Sequence, residues 1–229
     1  MQGVFITGTD TAVGKTTVSC HLTIALRHLG VDVAARKPIE QRCKRQGGAL
    51  YPTDGLALAR AAGEREPIDR VTPYRLAGSI SAAQTAQAGG HQVDLAAITA
   101  AVEAGDPGIF RLVEGAGGFL SPLTIDAINA DFAAALGFPV IVVAANRSGC
   151  INHSRLTVEA IRNRGLEAKA VVVNAPDTVA TDGETYRDDL AAVLDIPVIA
   201  CRHGKMDWEA FTELARIVRP EGLSAEGEG

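Results

Sequence analysis

The sequence lacks several features that would place it in other classes of protein. Lysine and arginine total 22 against 27 aspartates and glutamates, and without a basic excess a nucleic-acid-binding surface is not expected. No apolar run reaches the roughly 18 residues that a membrane-spanning helix needs. The residues after Met1 form no basic n-region, so we expect no secretory signal. The four cysteines form no CxxC pair and the five histidines show no metal-ligand spacing, which indicates reduced thiols and a cytoplasmic protein.

Short apolar runs alternate with longer, alanine-rich stretches of helical periodicity. Of the 229 residues, 47% are hydrophobic and 21% are charged, which is typical of a globular protein. The apolar runs are continuous rather than alternating, as in strands buried on both faces of a parallel sheet. We therefore expect one α/β domain over 1–219, with helices on both faces of the sheet. Predicted strands cover 3–7, 31–36, 109–113, 139–145, 169–173 and 196–200. Predicted helices cover 14–29, 54–62, 94–104, 126–136, 152–164, 184–194 and 207–218.

Two polar segments stand apart from this alternation. Residues 220–229 are polar and glycine-rich, which predicts a disordered tail. Residues 40–53 are polar and interrupted by Gly47, Gly48 and Pro52, which predicts a long loop. Long loops within a domain are often functional.

A glycine-containing loop, Gly8–Thr16, follows the first predicted strand and leads into a helix. Its small residues allow backbone N–H groups to surround phosphate oxygens, and the helix N-terminus favours an anion. Lys15 can reach the β- and γ-phosphates, and the Thr16 hydroxyl can bind Mg²⁺. Five residues separate Gly8 from Gly14, one more than in the strict motif. The loop predicts a nucleotide site in a P-loop NTPase-like fold.

Charged and amide side chains follow other predicted strands, at the edge where ligands bind in open α/β sheets. Lys37 follows 31–36, and Glu114 follows 109–113 and opens the glycine-rich run Glu114–Gly118, whose N–H groups could hold an anion. Glu114 suits Mg²⁺. Asp54 is either a helix N-cap or a second metal carboxylate, and Asn174 either contacts an adenine edge or makes a turn.

Together these segments resemble the dethiobiotin synthetase family. The resemblance covers residues 3 to about 200 in family order. Independently of it, Asn152 stands where a helix N-cap belongs. It is carried by Gly8–Thr16 with its five-residue spacing, Lys37-Pro38-Ile39, Thr53-Asp54, Val113–Gly118, Gly149–Thr157 and Val173-Asn174.

Enzymes of that family use ATP and CO₂ to close a cyclic urea on 7,8-diaminononanoate. The resemblance implies a carbamate on one amine, attack of that carbamate on the ATP γ-phosphate, and ring closure by the second amine. It also implies Mg²⁺ and a homodimer in which residues 149–152 of the other subunit hold the substrate carboxylate.

Site roles follow from the resemblance, residue by residue. Catalytic roles are implied for Lys37, Lys15 and Thr11. Metal ligands are implied at Thr16, Asp54 and Glu114. ATP binding is implied for Ala12, Val13, Gly14, Lys15, Thr16, Thr17, Asp54, Glu114, Gly115, Ala116, Gly117, Asn174 and Ala175. Substrate binding is implied for Thr11, Lys37, Gln41, Gly115, Gly118, Gly149, Cys150, Ile151 and Asn152.

The sequence departs from the family pattern on the substrate and base sides. Gln41 and Arg42 stand where the family has a small hydroxyl residue and glycine, Ala82 replaces a proline, and Arg202-His203-Gly204 replaces a Gly-x-x-Pro stretch. A paralogue acting on a different amine therefore stays open. An ATP-dependent switch of the partition or iron-protein kind is a further alternative, although Asp10 stands where those loops carry a second lysine.

Overall fold

A six-stranded parallel sheet forms the centre of the computed structural model, which describes residues 2–78, 93–124, 126–175, 183–202 and 206–220. The strands are β1 (Gly3–Gly8), β2 (Val33–Arg36), β3 (Ile39–Glu40), β4 (Lys44–Gln46), β5 (Ala49–Tyr51), β6 (Tyr74–Arg75), β7 (Phe110–Gly118), β8 (Val140–Ala145), β9 (Ala168–Asn174) and β10 (Val198–Cys201). The helices are α1 (Lys15–His28), α2 (Thr53–Ala61), α3 (Ile68–Val71), α4 (Leu95–Glu103), α5 (Asn129–Leu136), α6 (Cys150–Asn163), α7 (Gly183–Val193) and α8 (Trp208–Val218).

The order of strands in the main sheet is β10-β9-β8-β1-β7-β2, and every neighbouring pair is parallel. All six strands and all seven helices expected from the sequence are present, with ends shifted by a few residues. No helix in the described parts of the chain combines the length and hydropathy that crossing a bilayer requires.

Side chains from alternate positions of the strands form two apolar cores, one on each face of the sheet. Val4 and Ile6 of β1 pack with α1 and α8, while Phe5 between them packs edge-to-face on Phe132 of α5. Each fully buried large apolar side chain contributes about 1.5–3 kcal/mol. Burial on both faces explains why the strands read as continuous apolar runs.

Two expectations about local structure are wrong. Strand β7 does not end at residue 113 but continues to Gly118, so Glu114 lies within the strand, paired with Ile6. Residues 40–53 are not a structureless loop, because β4 and β5 form an antiparallel hairpin. The tight Gly47-Gly48 connection, with both glycines at positive φ, closes this hairpin.

The parallel arrangement brings the carboxyl ends of β1, β7 and β2 side by side. The loop Gly8–Thr16 follows β1, Lys37 follows β2, and Glu114 lies in the middle of β7, paired with Ile6 near the end of β1. Helix α1 continues the loop because Val18, Leu22 and Leu26 recur at helical spacing and are fully buried. The candidate site lies at this edge.

Candidate active site

The Gly8–Thr16 segment, the phosphate loop, is closely packed around the Lys15 side chain. A Cβ at Gly8 would lie 3.1 Å from Lys15 Nζ and 2.8 Å from the Asp10 carbonyl oxygen. Gly14 has φ +93°, and a Cβ there would lie 1.9 Å from Asn174 Nδ2. Only glycine fits both positions without rearrangement. Helix α1 begins immediately after Gly14, so its free N–H groups face the space that the loop surrounds.

Lys15 is buried inside this loop, where its Nζ donates a hydrogen bond to the Asp10 carbonyl at 3.0 Å. Burial, only partly offset by the nearby Glu114 carboxylate, lowers the pKa of Lys15 from 10.5 to about 8. The Lys37 ammonium lowers this pKa further. The free protein therefore holds Lys15 as a poorly solvated cation that a phosphate group would stabilise.

Lys37 forms the centre of a buried ionic cluster. Its Nζ lies 2.5 Å from Glu114 Oε1 and 2.8 Å from Asp54 Oδ2. Burial alone would lower the pKa of Lys37, but the two carboxylates outweigh burial and raise it. In the same way, burial would raise the pKa of Asp54, but the Lys37 ammonium lowers it below its usual value. Both partners are therefore charged at neutral pH.

The same carboxylates fit a divalent cation. Thr16 Oγ1 donates to Glu114 Oε1 at 2.8 Å, and Asp54 lies close enough to Thr16 for a hydrogen bond to lower its pKa. Glu114 Oε2 is buried and has no hydrogen-bond partner in the described structure. Two carboxylates, one of them with an unused oxygen, and a hydroxyl are the hard oxygen donors that Mg²⁺ prefers. The residues present therefore fit this ion.

Asp54 is not a helix N-cap, which corrects one of the two interpretations of this residue. Helix α2 begins at Thr53 with Pro52 at the cap position. The exposed N–H groups of this helix end are instead bound by Glu40, whose Oε1 accepts from the Asp54 N–H at 3.0 Å and whose Oε2 accepts from the Gly55 N–H at 2.8 Å.

Glu40 was not among the predicted site residues. It is buried, and burial raises the pKa of its carboxyl although the two N–H groups oppose this. By binding the first turn of α2, Glu40 positions Asp54 against Lys37. No sequence motif marks this role, because Glu40 contacts residues 14 and 15 positions further along the chain.

The Asn129 side chain forms hydrogen bonds with the backbone of the glycine-rich run after Glu114. The Asn129 amide accepts from the Ala116 N–H at 3.0 Å and donates to the carbonyls of Ala116 and Gly118. The Gly118 N–H donates to Ser121 Oγ at 3.0 Å. The sequence suggested that N–H groups of this run hold an anion. The N–H groups of Ala116 and Gly118 are instead bound within the protein.

Asn174, at the end of β9, contacts the phosphate loop. Its Nδ2 donates to the Val13 carbonyl at 2.8 Å, and the side chain is buried against Gly14. The neighbouring Ala175 is also buried. The Asn174 side chain therefore supports the loop through its donor atom.

Most of the predicted ATP and metal residues meet at one cavity of about 350 Å³, the phosphate cavity. Its lining residues are Thr11, Ala12, Gly14, Lys15, Thr16, Thr17, Lys37, Gln41, Arg42, Asp54, Glu114, Ala116 and Gly117. The predicted residues that do not line it are Val13, Gly115, Gly118, Asn174, Ala175 and residues 149–152. Gly115 is packed on Phe5 and Asn129, where a Cβ would lie 2.7 Å from Asn129 Oδ1.

Gly149, Ile151 and Asn152 line a different cavity, of about 440 Å³, together with Arg155, Leu156, Glu159 and Tyr186. Cys150 is buried beneath it. The helix here begins at Cys150 with Gly149 as its N-cap, so Asn152 is inside the first turn and is not the cap that the sequence suggested. Leu156 is 57% exposed.

Comparison with known proteins decides the family. A family model described as an AAA domain matches residues 2–203. An ATP-dependent dethiobiotin synthetase BioD from Anaeromyxobacter dehalogenans (strain 2CP-C) is 44% identical over 177 residues, which are 76% of this chain and 77% of that protein. The protein of the same name from strain 2CP-1 is 40% identical over 215 residues, 88% of this chain and 94% of the relative. The chain belongs to the dethiobiotin synthetase family.

Similarity to this family extends to relatives of lower identity. The dethiobiotin synthetase BioD of Ruthia magnifica subsp. Calyptogena magnifica is 37% identical over 174 residues, 76% of this chain and 80% of that protein. Among solved structures, the signal recognition particle receptor FtsY from Elizabethkingia anophelis superposes with a TM-score of 0.51 at 15% identity. The superposition covers 95% of this chain and 65% of that receptor chain, and it supports the fold alone. The P-loop NTPase-like α/β fold predicted from the sequence is confirmed.

The departures of this dethiobiotin synthetase family member from the family pattern fall in three places. Gln41 and Arg42 both line the phosphate cavity. Arg202 directly follows β10, the strand that pairs with β9. Ala82 and residues 203–204 lie outside the described residues, as does the predicted tail from residue 221 onwards.

Proposed function

We propose that this chain uses ATP and CO₂ to close the cyclic urea of dethiobiotin on 7,8-diaminononanoate, releasing ADP and phosphate. Family membership supports the reaction. The position of Lys37 supports the assignment of this reaction to the phosphate cavity, because its ammonium lies there between Glu114 and Asp54. Lys15 lines the same cavity from the phosphate loop, so two cations face the place where a γ-phosphate would meet an acceptor.

The chemistry needs positioning and charge neutralisation more than covalent catalysis. One substrate amine adds to CO₂ and loses a proton, giving a carbamate. A carbamate oxygen then attacks the γ-phosphorus while the bond to ADP breaks. The second amine attacks the carbamate carbon, phosphate leaves with the bonding electron pair, and a second proton is lost. Lys15 and Lys37 would stabilise the negative charge on the phosphoryl group and the carbamate.

Thr16, Asp54 and Glu114 would hold Mg²⁺. Bound Mg²⁺ neutralises phosphate charge and orients the nucleotide. In the free protein Lys37 holds both carboxylates together and keeps the Asp54 carboxyl ionised. The Asp54 ligand is therefore charged, and both carboxylates are in place, before the ion arrives.

The remaining roles rest on the family resemblance and on the cavity lining. Thr11, Gln41 and Gly117 would contact the diamine and its carbamate, with Gly115 and Gly118 shaping the backbone between them. Ala12, Val13, Gly14, Thr17 and Ala116 would surround the ATP phosphates. Asn174, through its amide oxygen, and Ala175 would contact the base.

We further propose a homodimer that acts in the cytoplasm. The cavity lined by Gly149, Ile151 and Asn152 would receive the carboxylate end of a substrate bound to the other subunit, with Cys150 supporting it. The exposed Leu156 at its rim supports burial of this surface in a dimer. All four cysteines are free, which fits a reducing compartment.

The test is phosphate release from Mg-ATP in bicarbonate buffer, with and without 7,8-diaminononanoate, with the product identified by mass. We expect phosphate release that depends on the diamine and is matched one-to-one by dethiobiotin. ATP turnover that ignores the diamine would instead indicate a switch-type ATPase. No turnover with this diamine would indicate a paralogue for another amine.

A further inference from the structure

Arg42 is an unpaired cation on the wall of the phosphate cavity. Its side chain is exposed, lines the cavity beside Gln41, and makes no hydrogen bond or ion pair with any residue that the structure describes. By contrast, the other two cations of the cavity, Lys15 and Lys37, are both buried and bound to protein oxygen atoms. Arg42 is therefore the cation of this wall whose donors are not used by the protein.

The backbone holds Arg42 in an unusual conformation. Its φ of +59° is in the left-handed region, which is unfavourable for a residue with a Cβ relative to glycine. The conformation is fixed on both sides, because the Arg42 N–H donates to the Gly78 carbonyl at 3.0 Å and the Cys43 N–H donates to the Leu76 carbonyl at 2.9 Å. An arginine is thus kept where glycine would be more stable, and such strain is commonly found at functional sites.

The charge of the cavity wall favours an anion at this place. The lining carries two carboxylates, Asp54 and Glu114, and both are paired with Lys37. The two remaining charges of the lining, on Lys15 and Arg42, are both positive. Guanidinium binds phosphate and carboxylate oxygens in pairs, with a planar geometry that lysine cannot reproduce.

We propose that Arg42 is a specificity-determining residue that binds an oxyanion of the reacting ligands through its guanidinium. This inference rests on the proposed function for the identity of those ligands. The oxyanion belongs either to the γ-phosphoryl group of ATP or to the carbamate formed on the organic substrate. Both sources share the same chemistry, and they are separable by experiment.

The test compares Arg42→Gly with Arg42→Lys and with the control Arg45→Ala. Arg42→Gly suits the backbone, so the fold should be retained and its melting temperature should equal or exceed that of the wild type. Arg45→Ala removes the same charge from an exposed arginine of the adjacent hairpin, which donates to the Gly48 carbonyl and does not line the cavity. Arg42→Lys keeps the charge and loses the paired geometry.

Two readouts separate the sources of the oxyanion. Equilibrium binding of Mg-ATP and Mg-ADP, without organic substrate, isolates the γ-phosphate. Initial rates with varied 7,8-diaminononanoate isolate the organic substrate. A charge-assisted contact predicts that Arg42→Gly weakens one of the two interactions by about 10- to 100-fold. If the γ-phosphate is the partner, Mg-ATP binds more weakly while Mg-ADP binding is unchanged; if the organic substrate is the partner, the KM for the diamine rises. Arg42→Lys should recover part of the loss.

The proposal is overturned if Arg42→Gly leaves both readouts within about twofold of the wild type, or if Arg45→Ala causes the same loss. Failure of the proposed function has a different signature, because the wild type would then form no dethiobiotin. In that case the comparison of ATP with ADP binding decides on Arg42: selective loss of ATP binding supports the proposal, and unchanged binding refutes it.

Discussion

The Lys37 ammonium lies 2.5 Å from Glu114 Oε1, so a residue that follows β2 and a residue within β7 form a buried ion pair at the edge of the sheet. Because β2 and β7 are adjacent and parallel, the sheet itself sets this distance. Removal of one partner of a buried ion pair leaves an uncompensated charge, which is costly. Lys37 therefore contributes to the stability of the free protein as well as to the proposed chemistry.

Replacement of Lys37 by methionine is expected to separate these two contributions. We expect kcat to fall by at least about 100-fold, because a cation facing the transferred phosphoryl group is lost. Without Mg²⁺, the unfolding free energy should fall by about 3 kcal/mol or more, since Glu114 loses its buried partner. Added Mg²⁺ should restore much of the stability but not the activity. Thermal denaturation in chelator and in Mg²⁺, with a steady-state assay, measures both effects.

Lys169→Met is a suitable control, because this lysine pairs with Glu167 at the surface, away from the phosphate cavity. It should change neither kcat nor the Mg²⁺ dependence of stability. A Lys37→Met protein with near-normal kcat would contradict the catalytic role.

Replacement of Lys15 by methionine should stabilise the free protein while abolishing ATP binding. At pH 7 the folded protein holds a charged lysine whose pKa is lowered by burial to about 8. Methionine removes that cost but also the hydrogen bond to the Asp10 carbonyl. We expect the unfolding free energy to rise by a net of about 1–2 kcal/mol. Chemical denaturation at pH 7 measures the gain.

The gain should depend on pH in a defined direction. Between pH 8 and 10.5 the unfolded lysine is protonated and the folded one is largely neutral, so the unfolded state binds more protons. The stability of the wild type therefore rises with pH in this window, and the advantage of Lys15→Met should shrink by about pH 9.5. An advantage that is the same at both pH values would show that burial of charge is not its cause.

The order of elements and the main ligand candidates could be predicted because their signals are local. Continuous apolar runs identify the parallel strands, and Gly14-Lys15-Thr16 identifies the phosphate loop within one short segment. The end of β7 could not be predicted, because Glu114 and Gly115 look like a turn in sequence. They extend the strand because β7 continues to pair with β1 up to Gly118, and Asn129 of the following helix binds the backbone of Ala116 and Gly118.

Glu40 illustrates a second limit. A buried carboxylate that binds a helix N-terminus from another strand has no fixed sequence spacing, so only the folded structure reveals it. The hairpin of β4 and β5 was missed for a related reason: its residues are largely exposed, and they have no apolar periodicity to mark strands.

Replacement of Glu40 by glutamine tests whether this residue positions Asp54. Glutamine offers one acceptor where the carboxylate offers two, so either the Asp54 or the Gly55 N–H loses its partner. We expect the unfolding free energy to fall by about 1–3 kcal/mol and the Mg²⁺ concentration needed for half-maximal activity to rise. A Mg²⁺ titration of activity measures the second effect. Glu103→Gln, at an exposed carboxylate, should alter neither, and a purely structural role would leave the Mg²⁺ requirement of Glu40→Gln unchanged.

Replacement of Asn174 by alanine distinguishes support of the phosphate loop from contact with the base. Loss of the hydrogen bond from Nδ2 to the Val13 carbonyl should weaken ATP and GTP alike, because the loop binds the phosphates that both nucleotides share. Loss of the amide oxygen should weaken ATP further, because that oxygen can accept from the exocyclic amine of adenine and not from the carbonyl of guanine. We expect kcat/KM to fall by about tenfold with GTP and by more with ATP. Steady-state kinetics with both nucleotides gives the two values, and an equal loss would mean that Asn174 supports the loop without contacting the base.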